Sequence, residues 1–118
     1  MSSSLRDGSV LLLVARDGMG EAEPPLRHKL LRTYLSLVDG NGMLPGAIAF
    51  YGEGVRMVVE DSPVLDLLAA LESKGVHLII CKTCLDYYGL VDKVRVGVIG
   101  GMTDILAAQW KASKVIAI

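Results

Sequence analysis

The segment Ser9-Val10-Leu11-Leu12-Leu13-Val14-Ala15 constrains the fold of this chain more than any other. It is an apolar run without alternation, as in a strand buried on both faces at the centre of a parallel sheet. Gly46-Ala47-Ile48-Ala49-Phe50-Tyr51 reads as a second buried strand, and Val76-His77-Leu78-Ile79-Ile80-Cys81 as a third. Helical segments separate them. Pro24-Pro25 opens the first helix, since proline is tolerated in a first turn. Leu26, Leu30, Tyr34 and Leu37/Val38 recur along it at helical spacing, and Asp39-Gly40-Asn41-Gly42 ends it. Ser62-Pro63 reads as N-cap and first residue of a second helix, with Val64, Leu67, Leu68 and Leu71 facing inward and Lys74-Gly75 at its close. Residues 84–88 form a short helix ended by Gly89. Val94, Val96 and Val98 alternate with Arg95 and Gly97, as in a half-buried fourth strand. Thr103 is expected to cap a last helix over 104–111, before a final strand over 114–118. Residues 55–59 fit either a short strand or a helical turn.

Strands alternating with helices at this spacing imply right-handed βαβ crossovers. The expected fold is a three-layer α/β/α domain around a mostly parallel five-stranded sheet. Residues 1–8 are expected as a disordered or polar lead and 9–118 as one domain. With 118 residues, 52 % of them apolar and 21 % charged, the chain can bury a real core and is not intrinsically disordered. Only 5 % are aromatic, so that core is aliphatic. The longest apolar stretch, residues 10–15, falls far short of the ~20 residues of a membrane span. A net charge of −1 leaves no footprint for nucleic acid. Met1-Ser2-Ser3-Ser4 has neither the charged start nor the apolar centre of a secretory leader. The expected location is the cytoplasm, where thiols stay reduced unless they do redox or sulfur chemistry.

Ligands of open parallel sheets bind outside the carboxyl ends of the strands. Three segments gather there: Asp17-Gly18-Met19-Gly20-Glu21, Gly52-Glu53-Gly54 and Cys81-Lys82-Thr83-Cys84. In the last, a thiol ends a strand where a helix begins. Free amides and the helix dipole lower a thiol's pKa there, and Lys82 adds a cation. Set against this is the ordinary reading of two small buried hydrophobes. Zinc needs four ligands, usually as paired motifs. The chain has two cysteines and two histidines, without HxxxH or a second CxxC. His77 lies about 13 Å along its strand from Cys81, too far for shared ligation. No metal or organic cofactor is expected. A thioredoxin-like dithiol follows an early strand and opens a long helix; this one follows the third strand and opens a short one. Gly18-Met19-Gly20 lacks GxGxxG and a P-loop lysine, and Asp17, Glu21 and Glu23 repel phosphate, so it reads as a turn. His28, between Arg27 and Lys29, is expected on the solvated side of the first helix, and His77 as a satisfied core histidine. Asp86-Tyr87-Tyr88 either lines the cysteine pocket or packs.

At this point the residues suggest a family. Val10-Leu11-Leu12-Leu13-Val14 with Asp17-Gly18-Met19-Gly20-Glu21, Phe50-Tyr51-Gly52-Glu53-Gly54-Val55 and Ser62-Pro63-Val64-Leu65 resembles the DsrE-like domain of YedF-type proteins. Cys81-Lys82-Thr83-Cys84-Leu85-Asp86-Tyr87-Tyr88-Gly89-Leu90, Met102-Thr103-Asp104-Ile105 and Lys114-Val115-Ile116 fit the same pattern. The resemblance implies a DsrE/DsrF-like α/β domain linked to sulfur relay, with YedF-type members associated with selenium metabolism. In sulfur-relay members a cysteine at the end of the third strand carries a persulfide. Cys81 is the match, eight residues before Gly89 as in that motif. Cys84 corresponds to a cysteine of the YedF-type subgroup. Two features depart from the pattern. Lys82 stands where a small residue is expected. YedF-type proteins usually carry an amino-terminal TusA-like domain, whereas this chain begins at the first DsrE-like strand, so a TusA-like partner is expected to act in trans.

The expectation is a cytoplasmic sulfur or selenium carrier, sulfurtransferase-like, with Cys81 and Cys84 as reacting thiols. Lys82, Thr83, Asp86, Tyr87, Asp17, Gly18 and Gly52 are its supporting residues. The family implies a homo-oligomer, with a trimer as its unit or a hexamer. The alternative is a non-catalytic oligomeric subunit with structural cysteines, serving assembly or ligand sensing.

Overall fold

The structure, a computed structural model, describes residues 7–118 and their side chains from Val10 onward. Residues 1–6 of the expected polar lead lie outside the described residues, while Asp7 and Gly8 already belong to the first strand. Strands β1 (Asp7–Val14), β2 (Pro45–Phe50), β3 (His77–Cys81), β4 (Val98–Gly100) and β5 (Lys114–Ala117) form one sheet in the order β4-β3-β2-β1-β5. Every pairing is parallel. Helices α1 (Pro24–Gly40), α2 (Leu65–Ser73), α3 (Lys82–Tyr88) and α4 (Met102–Lys111) connect them.

The strand order dictates where the helices lie. The crossovers β1 to β2 and β2 to β3 step in the same direction, so right-handedness puts α1 and α2 on one face. They pack against each other. The return from β4 to β5 crosses the whole sheet in the other direction, which puts α4 on the opposite face, against β1, β3 and β4. The three-layer α/β/α fold with a parallel five-stranded sheet is the one expected.

Leu11, Leu12, Leu13 and Val14 are buried in succession, as are Ile48, Ala49 and Phe50. Both faces of β1 and β2 are covered, which is why their sequences do not alternate. Leu31 and Leu35 of α1, Leu68 and Leu71 of α2 and Ile105 of α4 complete the core. Each such side chain contributes about 1.5–3 kcal/mol by leaving water.

Several elements depart from the sequence reading. The inward stripe of α1 runs through Leu31 and Leu35, while Leu26, Leu30 and Leu37 are exposed. Helix α2 begins at Leu65, because the Ser62 hydroxyl accepts the Val64 N–H at 3.2 Å and closes a turn before it. Residues 55–59 settle as the helical turn: a 3₁₀ turn covers Gly52–Val58, and Val59 alone makes an isolated antiparallel bridge to Val94. That bridge takes Val94 out of the sheet, and the Gly97 amide donates to Glu72 Oε2 at 3.0 Å, so β4 is only three residues long. Gly101, not Thr103, caps α4, its amide bonded to Asp104 Oδ2 at 2.8 Å. His77 is exposed at the amino end of β3 and is not a core histidine. Among the described residues no helix is long and apolar enough to cross a membrane.

Candidate functional site

The strands β1, β2 and β3 all end at one edge. The chain leaving β2 turns at once into the 3₁₀ turn, and the Tyr51 amide donates to the Val14 carbonyl at 3.2 Å. Gly54 lies against that same carbonyl, where a Cβ would stand 1.9 Å from the oxygen. Only glycine lets the turn press onto the end of β1. Gly52 has a φ of +58°, in the left-handed region, and its N–H donates to Cys84 Sγ at 3.1 Å.

The cysteines meet this turn from the end of β3. Cys81 is the last residue of β3 and the N-cap of α3; it is fully buried. Cys84 follows in the first turn of α3 and is half-buried. Both thiols are free, and they lie close enough to interact. Burial pushes the Cys84 thiol above its ordinary pKa; the Gly52 N–H pulls it down, and the Cys81 thiol pushes it up again. Gly89, in the left-handed conformation, ends α3, and the Leu90 N–H returns to the Leu85 carbonyl at 2.8 Å.

The other expected residues divide into two groups. Lys82 and Asp86 pair with each other at 2.9 Å on the exposed side of α3, so the lysine's charge is engaged there. Thr83 is exposed, and Tyr87, 84 % exposed, touches Tyr88 edge to face. Asp17 and Gly18 belong to a neighbouring cluster. Asp17 Oδ1 lies 2.8 Å from His28 Nε2, and Arg27 Nε donates to the Asp17 carbonyl at 2.9 Å. Gly18 packs on the Arg27 backbone. His28 is therefore half-buried and bonded to Asp17, contrary to the solvated position expected for it.

The structure thus joins Cys81, Cys84 and Gly52, and sets Asp17 on a neighbouring cleft of about 380 Å³. Asp17, His28, Arg56, Met57 and Lys93 line that cleft. Arg56 bonds Glu53 at 2.9 Å and lies 4.5 Å over the Tyr88 ring, tying the 3₁₀ turn to α3. Sequence reasoning did not consider Arg27 or Arg56 as site residues, set His28 on the solvated side, and left Tyr88 open between lining the cysteine pocket and packing. The available signal was the phase of α1: a stripe through Leu31 and Leu35 brings Arg27 and His28 to the inner side one turn earlier. Among the described residues no three His, Cys, Asp or Glu side chains converge as a metal site.

A parallel α/β sheet with two free thiols at its carboxyl edge defines a small thiol-bearing α/β domain. Residues 27–118 match the DsrE/DsrF-like family, and the chain belongs to that family. Solved structures that share its fold include three proteins. The YchN protein from E. coli is 17 % identical, with a TM-score of 0.67, over 95 % of this chain and 100 % of that one. MTH1491 from Methanobacterium thermoautotrophicum, a protein of unknown function, is 19 % identical, with a TM-score of 0.67 and the same coverage of both chains. BT1422 from Bacteroides thetaiotaomicron, a conserved protein of unknown function, is 16 % identical, with a TM-score of 0.68, over 100 % of this chain and 98 % of that one. At these identities the likeness is one of fold. No curated protein matches the chain.

Proposed function

We propose that this protein is a small sulfur-relay carrier whose reacting centre is the thiol pair Cys81 and Cys84. The observation behind this reading is the two adjacent free thiols at the carboxyl edge of β3, one of them held by the Gly52 amide. Membership of a family associated generally with sulfur relay supports it. The Cys81 thiolate attacks the outer sulfur of a donor persulfide, the donor's own thiolate leaves, and Cys81 holds the sulfur as a persulfide until an acceptor thiolate takes it. Selenium takes the same route. Burial of Cys81 shelters the carried sulfur, while Cys84 is the thiol nearer to solvent.

The setting we propose is the reducing cytoplasm, with a TusA-like protein as donor or acceptor in trans. Assembly as a homo-oligomer is supported by the apolar side chains Met102, Leu106 and Trp110, exposed one turn apart on α4; the trimer is the unit we propose.

The test is intact mass after incubation with glutathione persulfide. Wild type and Cys84→Ser gain one sulfur, and Cys81→Ser gains none. Loading of Cys81→Ser but not of Cys84→Ser assigns the carrier role to Cys84. A folded wild type that loads from neither glutathione persulfide nor a TusA-like persulfide overturns the reading in favour of a subunit with structural cysteines.

A further inference from the structure

Cys84 takes no part in the transfer to and from Cys81, yet its thiol lies beside the one that holds the sulfur. We propose that Cys84 closes a disulfide with Cys81 across the first turn of α3 and expels the carried sulfur as sulfide. The protein then delivers sulfur in reduced inorganic form as well as by direct transfer. This rests on the carrier reading.

The geometry suits the closure. Residues three apart at a helix start have Cβ atoms about 5–6 Å apart, little more than the ~3.5–4.5 Å of a disulfide. Cys81 keeps extended backbone angles, φ −68° and ψ 115°, so only one partner is fixed in the helix. The Gly52 N–H at 3.1 Å from Cys84 Sγ favours the thiolate, the attacking form, and offsets in part the burial that raises this thiol's pKa. Cys81 is fully buried, which disfavours attack by external thiols on its sulfur, whereas Cys84 attacks from within the same turn.

In the step, the Cys84 thiolate attacks the Sγ of the Cys81 persulfide. The Sγ–Sγ bond forms, the bond from Cys81 Sγ to the outer sulfur breaks, and the outer sulfur leaves as HS⁻. That sulfur gains two electrons, one supplied by each cysteine sulfur. The product cannot load again until a dithiol reductant reopens the disulfide.

The chain carries its own mapping device. Trypsin cuts after Lys82, leaving Cys81 on residues 75–82 and Cys84 on residues 83–93. Wild type is loaded anaerobically with glutathione persulfide and freed of donor. Sulfide is then trapped with bromobimane while tryptic peptides are weighed without reduction. The inference expects about one sulfide per loaded chain, appearing together with a disulfide that joins the two peptides. It also expects the added sulfur to persist at least about tenfold longer in Cys84→Ser and Cys84→Ala. Wild type that loads but holds its sulfur as long as these variants, without sulfide or joined peptides, overturns the inference and leaves the carrier reading intact. No loading at all overturns both.

Discussion

The amide of Gly52 donates to Cys84 Sγ at 3.1 Å, across 32 positions of sequence. This bond ties the segment leaving β2 to the helix leaving β3, and so fixes one thiol of the pair against a turn that is itself pressed onto β1. It is a hydrogen bond only the folded chain can make, and it exposes the site to a simple perturbation.

Substituting Gly52→Ala is the first such perturbation. The residue has a φ of +58°, and an added Cβ would stand 3.3 Å from the Ala15 carbonyl. Left-handed backbone costs a non-glycine residue about 1–2 kcal/mol. Urea unfolding is expected to show a loss of roughly that size, with faster alkylation of Cys84. Unchanged stability and unchanged thiol reactivity would contradict the described turn.

The second prediction concerns pH. Burial raises the Cys84 thiol, and the Gly52 N–H offsets this only in part. In Cys81→Ser the push from Cys81 is gone, but burial, the larger cause, remains. Alkylation of that variant is expected to rise about tenfold per pH unit and to level off above the midpoint of the denatured chain, near 8.5. The folded thiol holds its proton more tightly than the unfolded one. Its contribution to stability is therefore complete below the unfolded pKa and is lost as pH rises through the raised one. A midpoint below that of the denatured chain would reverse the sign.

Lys82→Ala provides a contrast. Its ammonium is engaged by Asp86 on the exposed side of α3, so removing it is expected to change the loading rate less than about twofold and stability by less than about 0.5 kcal/mol. A tenfold fall in loading would restore the lysine to the role that its place in the motif suggests.

How much of this was legible beforehand follows from what sequence periodicity encodes. The uninterrupted runs of β1 and β2 could be read because both faces are buried, and the parallel sheet followed from them. The helix phase of α1 could not: Leu26 and Leu30 match the period as well as Leu31 and Leu35, and only packing on α2 and the sheet decides between them. The same ambiguity hid His28 and Arg27, whose partner Asp17 lies on another loop. The cysteine motif announced itself by spacing, yet the Gly52 contact depends on a long-range juxtaposition that no local pattern records. Lys82 read as a support for the thiols because it adjoins Cys81; in the structure its ammonium bonds Asp86.

Oligomer formation is open to a surface change. Trp110, the only tryptophan, is 82 % exposed on a single chain, and Leu106 lies one turn before it. Light scattering after gel filtration is expected to give a trimer at micromolar concentration, with tryptophan emission of a buried ring. Leu106→Glu is expected to dissociate it and shift the emission to the red. A wild-type monomer would contradict the assembly.

The measurement that bears most directly on the central claim is the site of the added sulfur in loaded wild-type protein. After loading and rapid alkylation, trypsin separates Cys81 on residues 75–82 from Cys84 on residues 83–93. The account predicts the extra sulfur on the peptide of Cys81, with Cys84 alkylated as a plain thiol. Extra sulfur confined to the peptide of Cys84, or absent from both peptides with neither sulfide released nor a disulfide joining them, would contradict it.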